Sequence, residues 1–171
     1  MPIRFAFALI NRLLPAEEAS AHCDIPCGIY DPHLAQVAAL SVIRMNQLIE
    51  ALEDPGAGGT PSKEARQKFI HAMARYTKVK EEHAELVKHE VRIIVGDFFK
   101  ADNTPEGLFD LVNNIMKTAS KARQNIDTAA ATQLLDLVNQ FAEAFWKAKG
   151  VATKKASSNQ AAGGEYVVPA A

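Results

Sequence analysis

Four stretches of apolar residues at helical spacing, separated by short breaks of proline, glycine and aspartate, constrain this chain more than any other feature. Asp31-Pro32 opens the first, with Asp31 as N-cap and Pro32 at the first helical position, where its missing N–H costs nothing. Leu34, Val37, Ala38, Ser41, Met45, Leu48, Ile49 and Leu52 mark its stripe, which should end near Asp54-Pro55 before the loop Gly56-Ala57-Gly58-Gly59-Thr60-Pro61. The second runs from about Ser62 to Lys100. Its inner face is predicted from Phe69, Met73, Tyr76, Val79, His83, Leu86, Val87, Ile93, Ile94 and Phe98, with Lys and Glu outside. Thr104-Pro105-Glu106 signals a third start, followed by Leu108, Leu111, Val112, Ile115, Met116 and Ala119. Asp127 caps the fourth, which carries Leu134, Leu135, Val138, Phe141, Ala142 and Phe145-Trp146 and stops at Gly150. Strand-like alternation of useful length is missing and the breaks are short. The expected fold is all-α, an antiparallel four-helix bundle with an irregular segment ahead of its first helix. A bundle by itself assigns no function.

The 171 residues suit one domain with separable ends. Residues 1–21 place Arg4 before an apolar run, Phe5 to Ile10, and finish on Ala19-Ser20-Ala21, the order of a cleavable leader. Residues 22–150 form the domain. Residues 151–171, rich in Ala, Ser, Lys and Gly, offer little to bury and are expected to be a disordered tail. A net charge of −1 argues against a nucleic-acid partner, and no apolar run reaches the roughly 20 residues that span a bilayer, so no membrane is expected for the mature form.

Both cysteines of the chain fall in His22-Cys23-Asp24-Ile25-Pro26-Cys27-Gly28-Ile29-Tyr30-Asp31-Pro32, directly behind the leader. On spacing alone, Cys-x-x-x-Cys reads as ordinary thiols, a disulfide or half of a zinc site. Hydrolysis of Ala21–His22 adds another possibility. The new α-amine, the Cys23 amide nitrogen and the Cys23 thiolate then close two five-membered chelate rings on one metal ion. Cys27 can fold back to complete a plane of two nitrogens and two sulfurs, with the His22 imidazole axial, a donor set suited to Ni(II) or Cu(II). The return between the sulfurs predicts a cis Ile25–Pro26 bond, at a cost of only about 0.5–1 kcal/mol, and a positive φ at Gly28.

The same residues closely resemble the metal-binding hook of nickel-containing superoxide dismutases, where His-Cys-Asp-x-Pro-Cys-Gly-x-Tyr-Asp-Pro begins the mature chain. His83-Ala84-Glu85-Leu86-Val87-Lys88-His89, Gly96-Asp97-Phe98-Phe99-Lys100 and Phe145-Trp146 extend the likeness over roughly residues 22–149. The resemblance implies one nickel ion per chain, held by His22, Cys23 and Cys27. It implies disproportionation of superoxide to dioxygen and hydrogen peroxide by Ni(II)/Ni(III) cycling, and a homo-oligomer, a hexamer, of four-helix bundles. It also implies that Tyr30 restricts the open face of the metal to small anions, that Asp24 shapes the substrate pocket through its backbone, and that a leader-processing peptidase is a partner. The location it implies is cytoplasmic, although Ala-Ser-Ala would equally suit export.

Three positions depart from the family pattern. Where relatives hold the axial imidazole with a Glu and an Arg, this chain has Ala38 and His83, and Phe98 replaces a second tyrosine. A metal-bound histidine needs a partner on its other nitrogen. His83 or a water could fill that role here, or His83 could be an ordinary core histidine bonded to a backbone carbonyl. His33, His71 and His89 read as surface or packing residues, and Glu81, Glu82, Glu85 and Glu90 as a solvated face. Two alternatives to the enzyme use the same residues: a nickel carrier or sensor without catalysis, and a structural bundle whose cysteines form a disulfide.

Overall fold

The computed structural model describes residues 28–170. Four helices, α1 (His33–Glu50), α2 (Lys63–Asp97), α3 (Leu108–Gln124) and α4 (Thr128–Ala148), are followed by two short strands, β1 (Thr153–Ser157) and β2 (Glu165–Pro169). Helix α1 packs on α2 and α4, and α3 closes the ring against the same two, giving the expected four-helix bundle. Phe141, Phe145, Leu134, Val138, Ile115, Val87, Val91 and Val42 are fully buried along its axis. Among the described residues, no helix is long and apolar enough to cross a membrane.

The helix ends follow their capping chemistry. Asp31 Oδ1 accepts a hydrogen bond from the His33 amide at 2.8 Å, but Pro32 and not Asp31 stands at the N-cap, so α1 starts one residue later than expected. Helix α1 ends at Glu50, short of Asp54-Pro55, and Asp54 instead accepts from Gly56 in a tight turn. Ser62 Oγ caps α2 through the Ala65 amide at 3.1 Å, and Asp127 Oδ1 caps α4 through Ala130 at 2.8 Å. Gly150, at φ +72°, stops α4 as predicted; its amide and that of Val151 turn back onto Lys147 and Trp146 carbonyls. Thr104-Pro105-Glu106 does not start α3. It forms a turn closed by Leu108 N to Pro105 O, and the helix begins at Leu108.

Two stripes are phased differently from the sequence reading. In α1 the buried positions are Ala35, Gln36, Ala38, Ala39, Leu40, Val42, Ile43, Asn46 and Ile49, whereas Leu34 and Val37 face solvent. Small alanines and two amides occupy the inner face, because α1 is gripped on two sides and close approach favours small residues. In α2 the buried series is Lys80, Ala84, Val87, Val91 and Ile94, all in its second half. Lys80 joins the seam by lying along it and donating from Nζ to Asn125 O at 2.6 Å.

The expected disordered tail is a correction. Residues 153–169 form an antiparallel hairpin in which Lys155 faces Val167 and Ala156 faces Tyr166. The segment has little apolar surface of its own, but it docks on α1 and α4, which supply the other side of its burial. Val167 is buried there. Gly164 is needed at the point of closest approach. It has φ +81°, and a Cβ would lie 2.9 Å from Leu135 Cδ2 and 3.1 Å from Leu40 Cδ2.

Candidate metal centre

The described chain begins at Gly28, whose φ of +87° matches the conformation expected just after Cys27. Ile29 then lies exposed and Tyr30 turns in, half-buried. The Tyr30 ring packs 6.4 Å from Phe98, at the C-terminal end of α2. Phe98 in turn contacts Phe99 at 5.0 Å and Phe145 at 4.6 Å, and Phe145 meets Trp146 edge-on. Lys149 Nζ sits 5.3 Å from both the Phe145 and Trp146 ring centres. An aromatic block built from α2 and α4 therefore holds the tyrosine at the base of the N-terminal segment. Phe98, read as a replaced tyrosine, is part of the wall that Tyr30 leans on.

Ala38 is buried in the bundle core, where its methyl offers no polar atom. His83 is half-buried, and its Nδ1 lies 2.9 Å from the Val79 carbonyl one turn earlier. This is the backbone bond expected of an ordinary helix histidine. When Nδ1 carries the proton of that bond, Nε2 is left as an acceptor. Val79 also lines a surface groove of about 450 Å³ with His33, Val37, Met45 and Tyr166. His71 and His89 are exposed, as is His33, whose ring stacks edge-on to Tyr166 at 4.9 Å.

Glu81 and Glu82 lie on the exposed outer face of α2. Glu85 lies on the same charged face, its side chain 46% exposed, and also bridges to Arg92 at 3.0 Å and to Arg123 of α3 at 3.4 Å. The Arg92 hydrogen bond is the main reason its carboxyl is held below the usual range. Two interior features escaped the sequence reading: Gln36 with Asn139, and Lys80. Each is a polar residue at a position where helical phase would place an apolar one, the only local sign available.

His22, Cys23, Asp24 and Cys27 lie outside the described residues, as do the Ile25–Pro26 bond and the leader. Among the described residues, no three or more His, Cys, Asp or Glu side chains gather as a metal site.

A sequence model of the nickel-containing superoxide dismutase family matches residues 17–149. The chain is 35% identical over 145 residues to the superoxide dismutase [Ni] of Streptomyces coelicolor, covering 82% of this chain and 98% of that protein. It is 34% identical to the Streptomyces seoulensis protein over the same length. Among solved structures, native nickel superoxide dismutase matches with a TM-score of 0.62 at 34% identity, covering 75% of this chain and 99% of the other. The oxidised-state structure matches with a TM-score of 0.63 at 33% identity and the same coverage. The hairpin falls after the family-matched segment.

Proposed function

Because this chain belongs to the nickel-containing superoxide dismutase family, and so uses nickel to convert two superoxide anions and two protons into dioxygen and hydrogen peroxide, we propose that its metal ligands are His22, Cys23 and Cys27. The donor set fits the metal. Two thiolates and an anionic amide from Cys23 and Cys27, with the amine and imidazole of His22, would be an electron-rich nitrogen and sulfur donor set that suits nickel better than zinc. Nickel bound there, one ion per chain, supplies the one-electron couple that the reaction requires.

The amine exists only after Ala21–His22 is cut, so a leader-processing peptidase makes the site. The Cys23 and Cys27 side chains bind as thiolates, and the backbone at Asp24 shapes the pocket between them. Tyr30 narrows the approach to small anions, a role supported by its seat against Phe98 at 6.4 Å. Gly28, in the positive-φ region, lets the chain turn away immediately after Cys27. The observation carrying the assignment is that His22-Cys23 and Cys27 lead directly into Gly28, at φ +87°, and the half-buried Tyr30.

The partner of the His22 imidazole differs from the family pattern. Ala38 has nothing to offer, whereas in the neutral tautomer that donates from Nδ1 to the Val79 carbonyl, His83 has Nε2 available as an acceptor. We assign the orienting hydrogen bond to His83 Nε2, directly or through a water. The active form is a homo-oligomer, a hexamer. Ile29 and Leu34, 76% and 58% exposed beside the chain entry, are apolar surface that such an interface would cover. The location we propose for the mature enzyme is the cytoplasm, with export the alternative that Ala19-Ser20-Ala21 allows.

Mass spectrometry with metal analysis tests the assignment on protein produced beside its processing peptidase. A chain starting at His22 with one nickel is expected. An intact Met1 terminus without metal would overturn it.

A further inference from the structure

We infer that the C-terminal hairpin clamps the base of the metal-binding segment, with Tyr166 as its positioning residue. The inference rests on the proposed placement of the ligands at residues 22–27. The hairpin lies outside the family-matched residues 17–149, so the shared fold does not account for it.

Its docking is polar and specific. Gln36, fully buried, donates from Nε2 to Asn139 Oδ1 at 2.8 Å and to the Val167 carbonyl at 3.1 Å. Asn139 Nδ2 donates to the Glu165 carbonyl at 2.9 Å. One amide pair from α1 and α4 thus reads two backbone carbonyls of β2. Farther along α1, Gln47 Nε2 donates to the Ala162 carbonyl at 3.1 Å.

The points held on α1 matter more than their number. The Gln36 amide donates to the Pro32 carbonyl at 3.2 Å, so this residue is tied to the hairpin by its side chain and to the start of α1 by its backbone. Tyr166 presents its ring at 4.9 Å to His33, whose amide is bonded to Asp31. The first turn of α1 is consequently held at two points, Pro32 through the Gln36 amide and His33 through the Tyr166 ring, immediately after Tyr30, although Asp31 and His33 themselves stay exposed. A first helical turn is ordinarily where a helix frays. A metal site whose ligands lie just ahead of such a turn gains from having that turn held, because loose support degrades ligand geometry.

The test uses the mature chain, starting at His22, with Tyr166→Ala and Tyr166→Phe. Phe keeps the ring edge on His33 and removes only the hydroxyl. Amide hydrogen exchange is followed at residues 30–36 and, for comparison, at 84–94 in α2, alongside the electron paramagnetic resonance signal of the oxidised nickel centre. Tyr166→Ala is expected to speed exchange at 30–36 by about tenfold, to leave 84–94 unchanged and to broaden the nickel signal, with Tyr166→Phe restoring both. Gly164→Val, which drives a side chain into Leu135 and Leu40 and unseats the hairpin, should reproduce the Ala result. Unchanged exchange at 30–36, or an equal rise throughout the bundle, overturns the clamp. Failure of the unsubstituted mature chain to bind nickel would overturn the ligand assignment instead, and the exchange comparison, made without metal, would still decide the clamp.

Discussion

His83 Nδ1 lies 2.9 Å from the Val79 carbonyl oxygen, so the ring is oriented by its own helix before any ligand reaches its other nitrogen. An imidazole fixed in this way differs from an arginine at the same position. It carries one acceptor outward, where a guanidinium carries only donors. If His83 partners His22 as proposed, that histidine would meet an acceptor at this position instead of the donors of an arginine.

His83→Ala should lower activity by about 10–100-fold and alter the spectrum of the oxidised nickel centre, the range typical for residues that orient a metal ligand. Circular dichroism should remain that of the bundle, since a half-buried ring on the flank of α2 is removed. If neither rate nor spectrum moved, His83 would be a helix histidine and nothing more.

Tyr30 and Phe98 should be energetically coupled. Their rings sit 6.4 Å apart in a tilted arrangement, within the range where aromatic pairs contribute about 0.5–1.5 kcal/mol beyond burial. A double-mutant cycle with Tyr30→Leu and Phe98→Leu, read by denaturant unfolding, should give a coupling near the lower end because both residues are half-buried. Phe98→Leu also removes the 4.6 Å contact to Phe145, so the single substitution should cost more than the coupling. Strictly additive effects would detach Tyr30 from the aromatic block.

The parts of this molecule that could be read from the sequence are those whose causes are local. Asp127 and Gly150 act on the backbone within three residues, and both ends of α4 were recognisable. The donors proposed for the metal fall within six consecutive positions, and their assignment rests on the sequence pattern because those residues lie outside the described part of the fold. The hairpin was not. What holds it is Gln36, 103 residues from Asn139 and 131 from Val167, and the tail's composition contains no trace of that bond. The α1 stripe misled for a related reason. Gln36 and Asn46 lie inside while Leu34 and Val37 lie outside, an inversion that hydrophobicity cannot register.

Lys80 offers a test of a buried cation. Burial is the main influence on its ammonium and lowers its pKa from the ordinary 10.5, with the Glu81 charge opposing. A lysine depressed in the folded state binds fewer protons there than when unfolded. Stability therefore rises with pH between its folded value and 10.5. Lys80→Met keeps the buried stem, removes the charge and leaves the Asn125 carbonyl without its 2.6 Å donor, so the two effects should offset to within about 1 kcal/mol at pH 7. Wild type should gain on the variant as pH is raised toward 10. A stability difference independent of pH would contradict the desolvated-cation account.

Asp127 gives the opposite, acid-side dependence. Its carboxylate accepts from the Ala130 amide at 2.8 Å and pairs with Lys121 at 3.0 Å, and the backbone bond is the larger cause of a pKa lowered from 3.8. A carboxylate depressed in the folded state contributes its stabilisation fully above the unfolded value, and the contribution is lost as pH falls through the folded one. Asp127→Asn retains an acceptor for the Ala130 amide but has no charge for Lys121 or the positive end of α4. Thermal melts of the two proteins should therefore differ by a few degrees at pH 6, wild type being higher, and the gap should close below about pH 3.9. Added salt should shrink the gap at pH 6, because the carboxylate and Lys121 are both open to solvent and screened. If the gap persisted unchanged into acid, the cap would be working through hydrogen bonding alone and the charge of Asp127 would contribute nothing to the start of α4.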